Sequence, residues 1–269
     1  MGALRWACGL TTCAKRHLTT LPQTLISLRH AGFPDPWLYV DGWDKEPQRF
    51  ADGLAAALTA RGEGVAVKYG ATFHNPRLNT FGNWILGLAE LWIRNPLADR
   101  FAMFQDDVVF VRNLRPYLER CAYPYGGRAT DPGNKNGYWS LYTGFDTYHN
   151  LRPRRGWQEG YVLNDGTHAQ RHQRCEGALA LVFNREAAAM LLTHQHLIHK
   201  PLSAGREAYR NTDGAIVSAM NRAGWRLYVH GPSLCQHIGH ESSMGSGPYA
   251  PAPDFPSQSF DALSLLPVQ

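Results

Sequence analysis

Two adjacent carboxylates are the residues of this sequence whose type and spacing most clearly point to chemistry. Asp106 and Asp107 stand between the apolar runs Phe101–Phe104 and Val108–Val111. Burying two like charges side by side is unfavourable unless a cation accompanies them. Hard oxygen ligands of this kind suit Mg²⁺ or Mn²⁺, which take one or two carboxylates together with substrate phosphates and water. The pair therefore indicates either a divalent metal site or a capping Asp beside a solvated neighbour.

Three later segments add residue types that could complete such a site. Asp213, in NTDGAIVSAM, opens an apolar-faced helix, where it is either a cap or a general base that faces a ligand. His237, in SLCQHIGHESS, follows the last predicted strand and is either a further metal ligand or a packed histidine. Glu176 and Gly177 precede a predicted strand, and the glycine would allow a ligand to approach the backbone closely.

The elements that must position these residues alternate between strand and helix patterns. The first half predicts strands at Arg5–Thr12, 37–42, 65–69 and Phe101–Phe104, and helices over Leu18–Leu28, 46–61 and Phe81–Trp92. The second half predicts a strand at Ala178–Phe183, helices over Arg185–Leu192 and Asn211–Ala223, and a strand at Arg226–His230. This order predicts a Rossmann-type α/β fold with a doubly wound, mostly parallel sheet. Ligands of such sheets bind beyond the carboxyl ends of the strands, where Thr12, Asp41 and the Asp pair fall.

Length and composition favour one domain. We expect a single domain over residues 1–243, with a first half (1–110) and a second half (111–243), followed by a Pro/Gly/Ser-rich tail (244–269). No apolar run approaches the roughly 20 residues that span a bilayer. Five scattered cysteines without CxxC spacing argue against a disulfide framework. We therefore expect a soluble, cytoplasmic protein.

The charge distribution bears on the partner. The net charge is +5, and residues 112–174 hold ten Lys/Arg against five acids, interleaved with Tyr and Trp. This loop-rich region is either a solvated surface or a binding surface for sugars or nucleic acid. Within it, Arg152, Arg154, Arg155 and Trp157 are the residues that we predict to bind such a partner.

Two motifs resemble a known family. The strand–QDD–strand unit resembles the acidic metal motif of glycosyltransferases with the GT-A fold, although this chain has Gln105 where that family often has an acid. The segment PSLCQHIGHESS resembles the QH-x-G-x-x-S ending of N-acetylglucosaminyltransferase IV-type enzymes and their bacterial and viral relatives. The order of elements matches over roughly residues 5 to 243, whereas similarity of sequence is confined to these short patches.

The resemblance implies roles for particular residues. Asp107 would bind the metal, completed by His237, and Asp106 would contact the ribose or a metal-bound water. Asp213 would be the base of an inverting enzyme, and a retaining outcome becomes possible if Asp213 only caps its helix. Residues 1–110 would form the nucleotide-binding half of the catalytic domain, and residues 111–243 the acceptor-binding half, in which Arg152, Arg154, Arg155 and Trp157 would bind the acceptor. The remaining nucleotide-sugar contacts would be Thr11, Thr12, Arg16, Asp41, Asn79, Asn83, Glu176 and Gly177.

The implied reaction is metal-dependent transfer of a hexosyl or N-acetylhexosaminyl group from a UDP-sugar, with Mn²⁺ or Mg²⁺, to an acceptor hydroxyl. The acceptor would be a glycan or a lipid-linked envelope precursor. A hydroxylated base in DNA, as in phage-type DNA glycosyltransferases, is the alternative.

Three other classes remain. A metal-dependent phosphoesterase is disfavoured because no DxH, HD or HExxH cluster is present. A nucleotidyltransferase would share the crevice and the metal, but TTCAKR is a poor match to its usual Gly/Arg/Lys-rich first loop. A non-catalytic nucleotide- or glycan-binding module would leave the Asp pair, Asp213 and His237 unrelated in space.

Overall fold

A computed structural model describes residues 4–62, 68–121, 137–160, 162–163, 172–173, 175–195, 197–198, 212–239 and 251–267. The strands are β1 (Trp6–Cys13), β2 (Trp37–Asp41), β3 (Gly70–His74), β4 (Arg100–Gln105), β5 (Val108–Phe110), β6 (Gly137–Ser140), β7 (Gly156–Glu159), β8 (Val162–Leu163), β9 (His172–Gln173), β10 (Ala180–Asn184), β11 (Arg226–Gly231) and β12 (Cys235–His237). The helices are α1 (Thr20–His30), α2 (Pro47–Thr59), α3 (Asn79–Arg94), α4 (Leu114–Arg120), α5 (Phe145–Leu151), α6 (Arg185–Thr193) and α7 (Thr212–Arg222), with a 3₁₀ helix at Ala262–Leu265.

The central sheet is mostly parallel. Among the described residues it has eight strands in the order β3-β2-β1-β4-β10-β6-β11-β7. Strands β3, β2, β1 and β4 are parallel to one another, β10 is antiparallel to both β4 and β6, and β11 is parallel to β6 and antiparallel to β7. Six of these strands therefore point the same way, and their carboxyl ends lie at one edge. The predicted fold class is confirmed.

Helices cover both faces of the sheet because each strand alternates its side chains between two cores. In β2, Leu38 and Val40 pack with α1 and α2, whereas Tyr39 between them packs with α3. The first core includes Leu25 of α1. The second includes Ile216 of α7 and also side chains of α6. This two-sided burial explains why the strands read as nearly continuous apolar runs.

The third strand was placed wrongly from sequence. An apolar run predicted it at 65–69, of which 65–67 lie outside the described residues, but the strand is GATFH at β3. β3 is the edge of the sheet and most of its side chains are only half-buried, so it needs no apolar run. Its position is set by pairing with β2, in which Gly70 lies opposite Trp37. A glycine is needed there, because a Cβ on Gly70 would clash with the Trp37 ring.

A short ribbon brings a late segment back to the acidic pair. β4 ends at Gln105, the chain turns through Asp106 and Asp107, and β5 pairs antiparallel with β12. The register places His237 opposite Val108, the residue after the pair. These two strands have three residues each, too few for an alternating pattern to predict them.

Part of the tail packs against the domain. Ala252 and Ala262 are buried, and Arg112 exchanges backbone hydrogen bonds of 2.9 and 3.0 Å with Phe260 and Ala262.

No helix within the described ranges has the length and apolarity to cross a bilayer. All five cysteines carry free thiols.

Candidate active site

A cavity of about 370 Å³ lies at the carboxyl edge of the sheet. Eleven residues predicted from sequence line it: Thr11, Thr12, Arg16, Asp41, Asn83, Asp106, Asp107, Glu176, Gly177, Asp213 and His237. They come from β1, β2, β12, α3, α7 and the loops between elements, so the fold and not sequence proximity brings them together. This volume is within the range of small-molecule sites.

Asp106 is held by hydrogen bonds from Thr12 of β1, Arg16 of the following loop and Thr24 of α1. Its side chain is buried, Oδ2 accepts a hydrogen bond of 2.5 Å from Thr12 Oγ1, and Oδ1 accepts one of 3.0 Å from Arg16. Thr24 donates to its backbone carbonyl at 2.9 Å. Burial, together with the charge of Asp107, raises the pKa of Asp106 to about 6. The orientation of its carboxyl group is thus fixed, and ionisation of that group is unfavourable unless a cation lies nearby.

The two oxygens of Asp107 have different surroundings. Oδ2 accepts a hydrogen bond from Arg16 and lies 2.9 Å from His237 Nε2. Burial alone would raise the pKa of Asp107, but His237 and Arg16 outweigh it and hold that pKa below its ordinary value. Oδ1 is buried and has no hydrogen-bond partner among the described residues. An unpaired buried oxygen of this kind costs about 1–3 kcal/mol, more when charged, unless a ligand satisfies it.

Gly239 keeps the space around this carboxylate open. A Cβ at this position would lie 2.7 Å from Asp107 Oδ2 and 3.0 Å from His237 Nε2. Ile238 donates its N–H to the Asp107 carbonyl at 2.8 Å, which fixes the distance between the two segments. Gly239 was not predicted as a site residue, although the glycine of QHIG was the signal that could have revealed it.

The donor set around Asp107 fits a divalent metal. A carboxylate oxygen without a partner stands beside an imidazole, and oxygen and nitrogen ligands suit Mn²⁺. Within the part of the chain that the structure describes, no group of three or more His, Cys, Asp and Glu could hold a metal. Asp107 and His237 would therefore share the ion with substrate oxygens and water, as hard cations commonly allow.

Arg16 lies between the two carboxylates and compensates their charge. Its guanidinium contacts both Asp106 Oδ1 and Asp107 Oδ2. Burial by itself would lower the pKa of Arg16, but the two carboxylates raise it above its ordinary value, so the side chain stays charged. The acidic pair therefore already has one cation in contact with both carboxylates.

The polar groups of the cavity around Asp41 and Asn83 also hold the strand ends together. Asp41 accepts from Leu78 N at 2.6 Å and lies 3.4 Å from Arg77 Nε. The Asn83 amide donates to the Tyr39 carbonyl at 3.0 Å and also contacts a buried histidine of β3. The first residue of α3, Asn79, is exposed at the helix start, with a φ of 61°, and does not line the cavity.

A second part of the cavity wall, formed around α5, Glu176–Gly177 and α7, carries the acids Asp146, Glu176 and Asp213. Glu176 accepts hydrogen bonds from the backbone N–H groups of Asp146 (2.7 Å) and Thr147 (3.0 Å), and so caps α5. The next residue, Gly177, has a φ of +80° and donates its N–H to Asp213 Oδ2 at 3.0 Å. Asp213 belongs to the first turn of α7. The backbone of Gly177 therefore holds the carboxylate of the candidate base at the cavity wall.

The predicted acceptor residues lie outside this cavity. None of Arg152, Arg154, Arg155 and Trp157 lines it. The three arginines are exposed, Arg155 donates to the Ser264 carbonyl at 2.5 Å, and the Trp157 ring packs edge-on against His230 at 4.9 Å. Their acceptor role stays a prediction.

Sequence reasoning missed several residues of the cavity wall: Cys13, Arg77, Thr80, Gln105, Tyr142, Gly144, Phe145, Asp146, Cys175, Ala178, Leu179 and Thr212. Those around α5 were missed because the helix has only seven residues, too short for a periodic signal. No single motif in the sequence marks them.

Comparison with known proteins bears on the fold. No family model and no curated protein matches the sequence. The solved structure of GalNAc-T7 with UDP, GalNAc and Mn²⁺ is similar to 88% of this chain and 44% of that chain, with a TM-score of 0.52 at 11% identity. The chain has a GT-A-like fold.

Two further structures are similar at TM-scores below 0.5 and carry no argument. A mannosyltransferase from Pyrobaculum calidifontis in complex with GDP-Man and Mn²⁺ matches at 0.48 and 11% identity, over 87% of this chain and 56% of that one. A protein described as a glucose-1-phosphate thymidylyltransferase of Bacillus anthracis, in complex with sucrose, matches at 0.47 and 10% identity, over 89% and 92%. This chain spans about half the length of the mannosyltransferase and of GalNAc-T7.

Proposed function

We propose that this protein is a metal-dependent glycosyltransferase that moves a sugar from a nucleoside-diphosphate sugar to an acceptor hydroxyl. The observation that carries the proposal is the partnerless Oδ1 of Asp107, buried beside His237 and Asp106 at the carboxyl edge of a GT-A-like sheet. The QH-x-G-x-x-S resemblance supports it, because Gly239 is the residue that leaves room around Asp107. A UDP-sugar that carries a hexosyl or N-acetylhexosaminyl group is the donor that this resemblance favours.

On the nucleotide side, the residues of the chain bind and orient the donor. Asp107 and His237 would hold Mn²⁺ or Mg²⁺, which when bound neutralises negative charge on the leaving diphosphate. Arg16 is charged and lies beside the acidic pair. It would therefore pair with a phosphate oxygen of a donor bound there. Thr11, Thr12 and Asp41 line the adjacent strand ends and would contact the nucleoside.

On the acceptor side, Asp213 would act as the general base. An acceptor hydroxyl has a high pKa and attacks only as its proton departs, so a positioned carboxylate is needed. Asp213 is at the cavity wall and one of its oxygens is held by the Gly177 N–H. Direct attack by an acceptor hydroxyl that gives its proton to Asp213 would displace the nucleoside diphosphate with inversion at the anomeric carbon.

A glycan is the acceptor class that we propose, and a hydroxylated DNA base is the alternative. The alternative draws support from the exposed Arg152, Arg154 and Arg155, which have the charge to contact a phosphate backbone. The phosphoesterase reading has less support, because no three-ligand metal cluster occurs among the residues described. A non-catalytic module does not require the Asp pair, Asp213 and His237 to line one cavity, as they do here.

The proposal is tested by incubating the protein and Mn²⁺ with a panel of UDP- and GDP-sugars and measuring the released nucleoside diphosphate. We expect one donor to be consumed, faster when an acceptor is added. Asp213→Asn keeps an oxygen for the Gly177 N–H but cannot accept a proton, so transfer should fall by about 10²–10⁴-fold while nucleotide binding persists.

The matched control is Asp35→Asn, an exposed Asp in the loop before β2, which should leave every rate unchanged. Consumption of no donor on the panel would contradict the transferase assignment. A rate for Asp213→Asn within a few-fold of wild type would leave Asp213 as a helix cap and remove it from the mechanism.

A further inference from the structure

An exposed aromatic ring stands in the wall of the cavity. Phe145, the first residue of α5, lines the cavity and its side chain is 49% exposed. Its ring centroid is 4.1 Å from that of His149, one helical turn later, so the ring has support on one side. The cavity lining near it also includes the acids Asp146, Glu176 and Asp213. An exposed apolar ring within a ligand cavity indicates a ligand that presents an apolar face of its own.

The contacts that hold Phe145 also tie it to the candidate base. Glu176 accepts from the two backbone N–H groups that follow Phe145, at 2.7 and 3.0 Å. Gly144 makes this possible, because a Cβ there would lie 2.4 Å from Glu176 Oε2. The residue after Glu176 donates its N–H to Asp213. The ring and the base are therefore positioned by one connected segment, on the same wall of the cavity.

Charge decides what kind of ligand this wall can accept. The described charged residues on it are the acids Asp146, Glu176 and Asp213, whereas Arg16 and Arg77, which also line the cavity, contact the Asp pair and Asp41. Among the described residues, a phosphate that approached Phe145 would meet like charge on this wall and no arginine. A neutral ring with C–H groups on its face and hydroxyls on its edge would meet an aromatic surface and hydrogen-bond acceptors.

We propose that Phe145 is the stacking platform for a neutral sugar ring of the acceptor, with an acceptor hydroxyl directed to Asp213. This inference rests on the proposed function and deepens it, because it assigns the acceptor to neutral carbohydrate and not to nucleic acid. It also moves the acceptor subsite from Arg152, Arg154 and Arg155, which lie outside the cavity, to the start of α5.

The test uses the full chain, the donor found active, and a panel of neutral p-nitrophenyl glycosides of glucose, galactose, mannose and the two N-acetylhexosamines. Phe145→Ala should raise the acceptor KM about tenfold, as expected for loss of an aromatic contact, while acceptor-free donor hydrolysis stays within about twofold. Phe145→Leu keeps an apolar side chain but has no ring face, so it should raise the KM in the same way. Phe145→Tyr should behave as wild type.

The matched control is Ile93→Ala, a 74% exposed apolar residue on α3 that does not line the cavity, and it should change neither quantity. An unchanged acceptor KM in Phe145→Leu would overturn the platform. A wild-type protein that hydrolyses the donor yet glycosylates hydroxymethylated duplex DNA, or none of the glycosides, would also overturn it and leave the transferase assignment standing. Failure to bind or hydrolyse any nucleotide-sugar would overturn both.

Discussion

At the scale of single residues, the site depends on a charge balance around Asp107. Two adjacent carboxylates remain buried because Arg16 contacts both of them and His237 contacts one. The sequence could identify the pair and His237, because their types and motif spacing are visible in the chain. It could not place Arg16 between them, since that contact depends on how the loop after β1 crosses the turn after β4.

Arg16 should compete with a metal ion in the free protein. Arg16→Gln removes the cation that compensates the pair, so Mn²⁺ should bind the nucleotide-free protein at least several-fold more tightly. UDP should bind more weakly, because a group that can pair with the diphosphate is lost. Both constants can be measured by titration, with free Mn²⁺ followed by electron paramagnetic resonance.

Arg77→Gln is the matched control for this change. Arg77 also lines the cavity, but it contacts Asp41 and not the acidic pair. Its replacement should leave the Mn²⁺ affinity of the free protein unaltered. Equal Mn²⁺ affinities for wild type and Arg16→Gln would rule out the competition.

At the scale of elements, a buried histidine joins three of them behind the site. His230 of β11 is fully buried, its Nδ1–H donates to the Pro232 carbonyl at 2.7 Å, and its Nε2 accepts from the Tyr117 hydroxyl of α4 at 2.7 Å. The ring of Trp157 from β7 packs edge-on against it. Both ring nitrogens are therefore used in the neutral form, and burial lowers the pKa of His230 to about 4.

This histidine should make the free energy of unfolding depend on pH. Its pKa falls from an ordinary value of 6.5 to about 4 on folding. Between these values the unfolded chain binds a proton that the folded protein does not, so stability decreases as pH falls. The loss should be about 1.4 kcal/mol per pH unit, on the order of 3 kcal/mol in total by pH 4, and absent above pH 7.

Urea unfolding at pH 7, 6, 5 and 4 measures this dependence, and His230→Gln provides the comparison. Glutamine can replace hydrogen bonds but does not titrate, so the variant should be less stable at pH 7 and lose less stability on acidification. Parallel stability curves for the two proteins would show that His230 does not titrate as its burial requires.

Element lengths explain which parts of the fold the sequence revealed. Helices such as α3, with 16 residues, and fully buried strands such as β10 produce clear patterns and were predicted within about two residues. The edge strand β3 was misplaced because its side chains are half-exposed. The seven-residue α5 and the three-residue strands β5 and β12 gave no usable period. Phe145 lies on one of these elements and was missed, whereas His237 lies on another and was identified from its motif alone, so the site was predictable only in part.

At the scale of the whole molecule, the account depends on the two walls of one cavity. The wall formed by β1, the Asp pair and His237 suits a metal and a diphosphate, whereas the wall formed by α5 and α7 carries a candidate base and an aromatic ring. The fold class was predictable because alternating strands and helices leave few topologies. The relation between the walls was not, because it depends on long-range pairing of β10, β6 and β11.

The measurement that tests the central claim most directly is calorimetric titration of UDP and GDP into the protein, in Mn²⁺ and in EDTA. A metal shared between Asp107, His237 and a diphosphate couples the two ligands. We predict that one nucleotide binds at least tenfold more tightly in Mn²⁺ than in EDTA, and that Asp107→Asn removes this difference while Asp35→Asn preserves it. Equal affinity with and without the metal, or no nucleotide binding at all, would contradict the account.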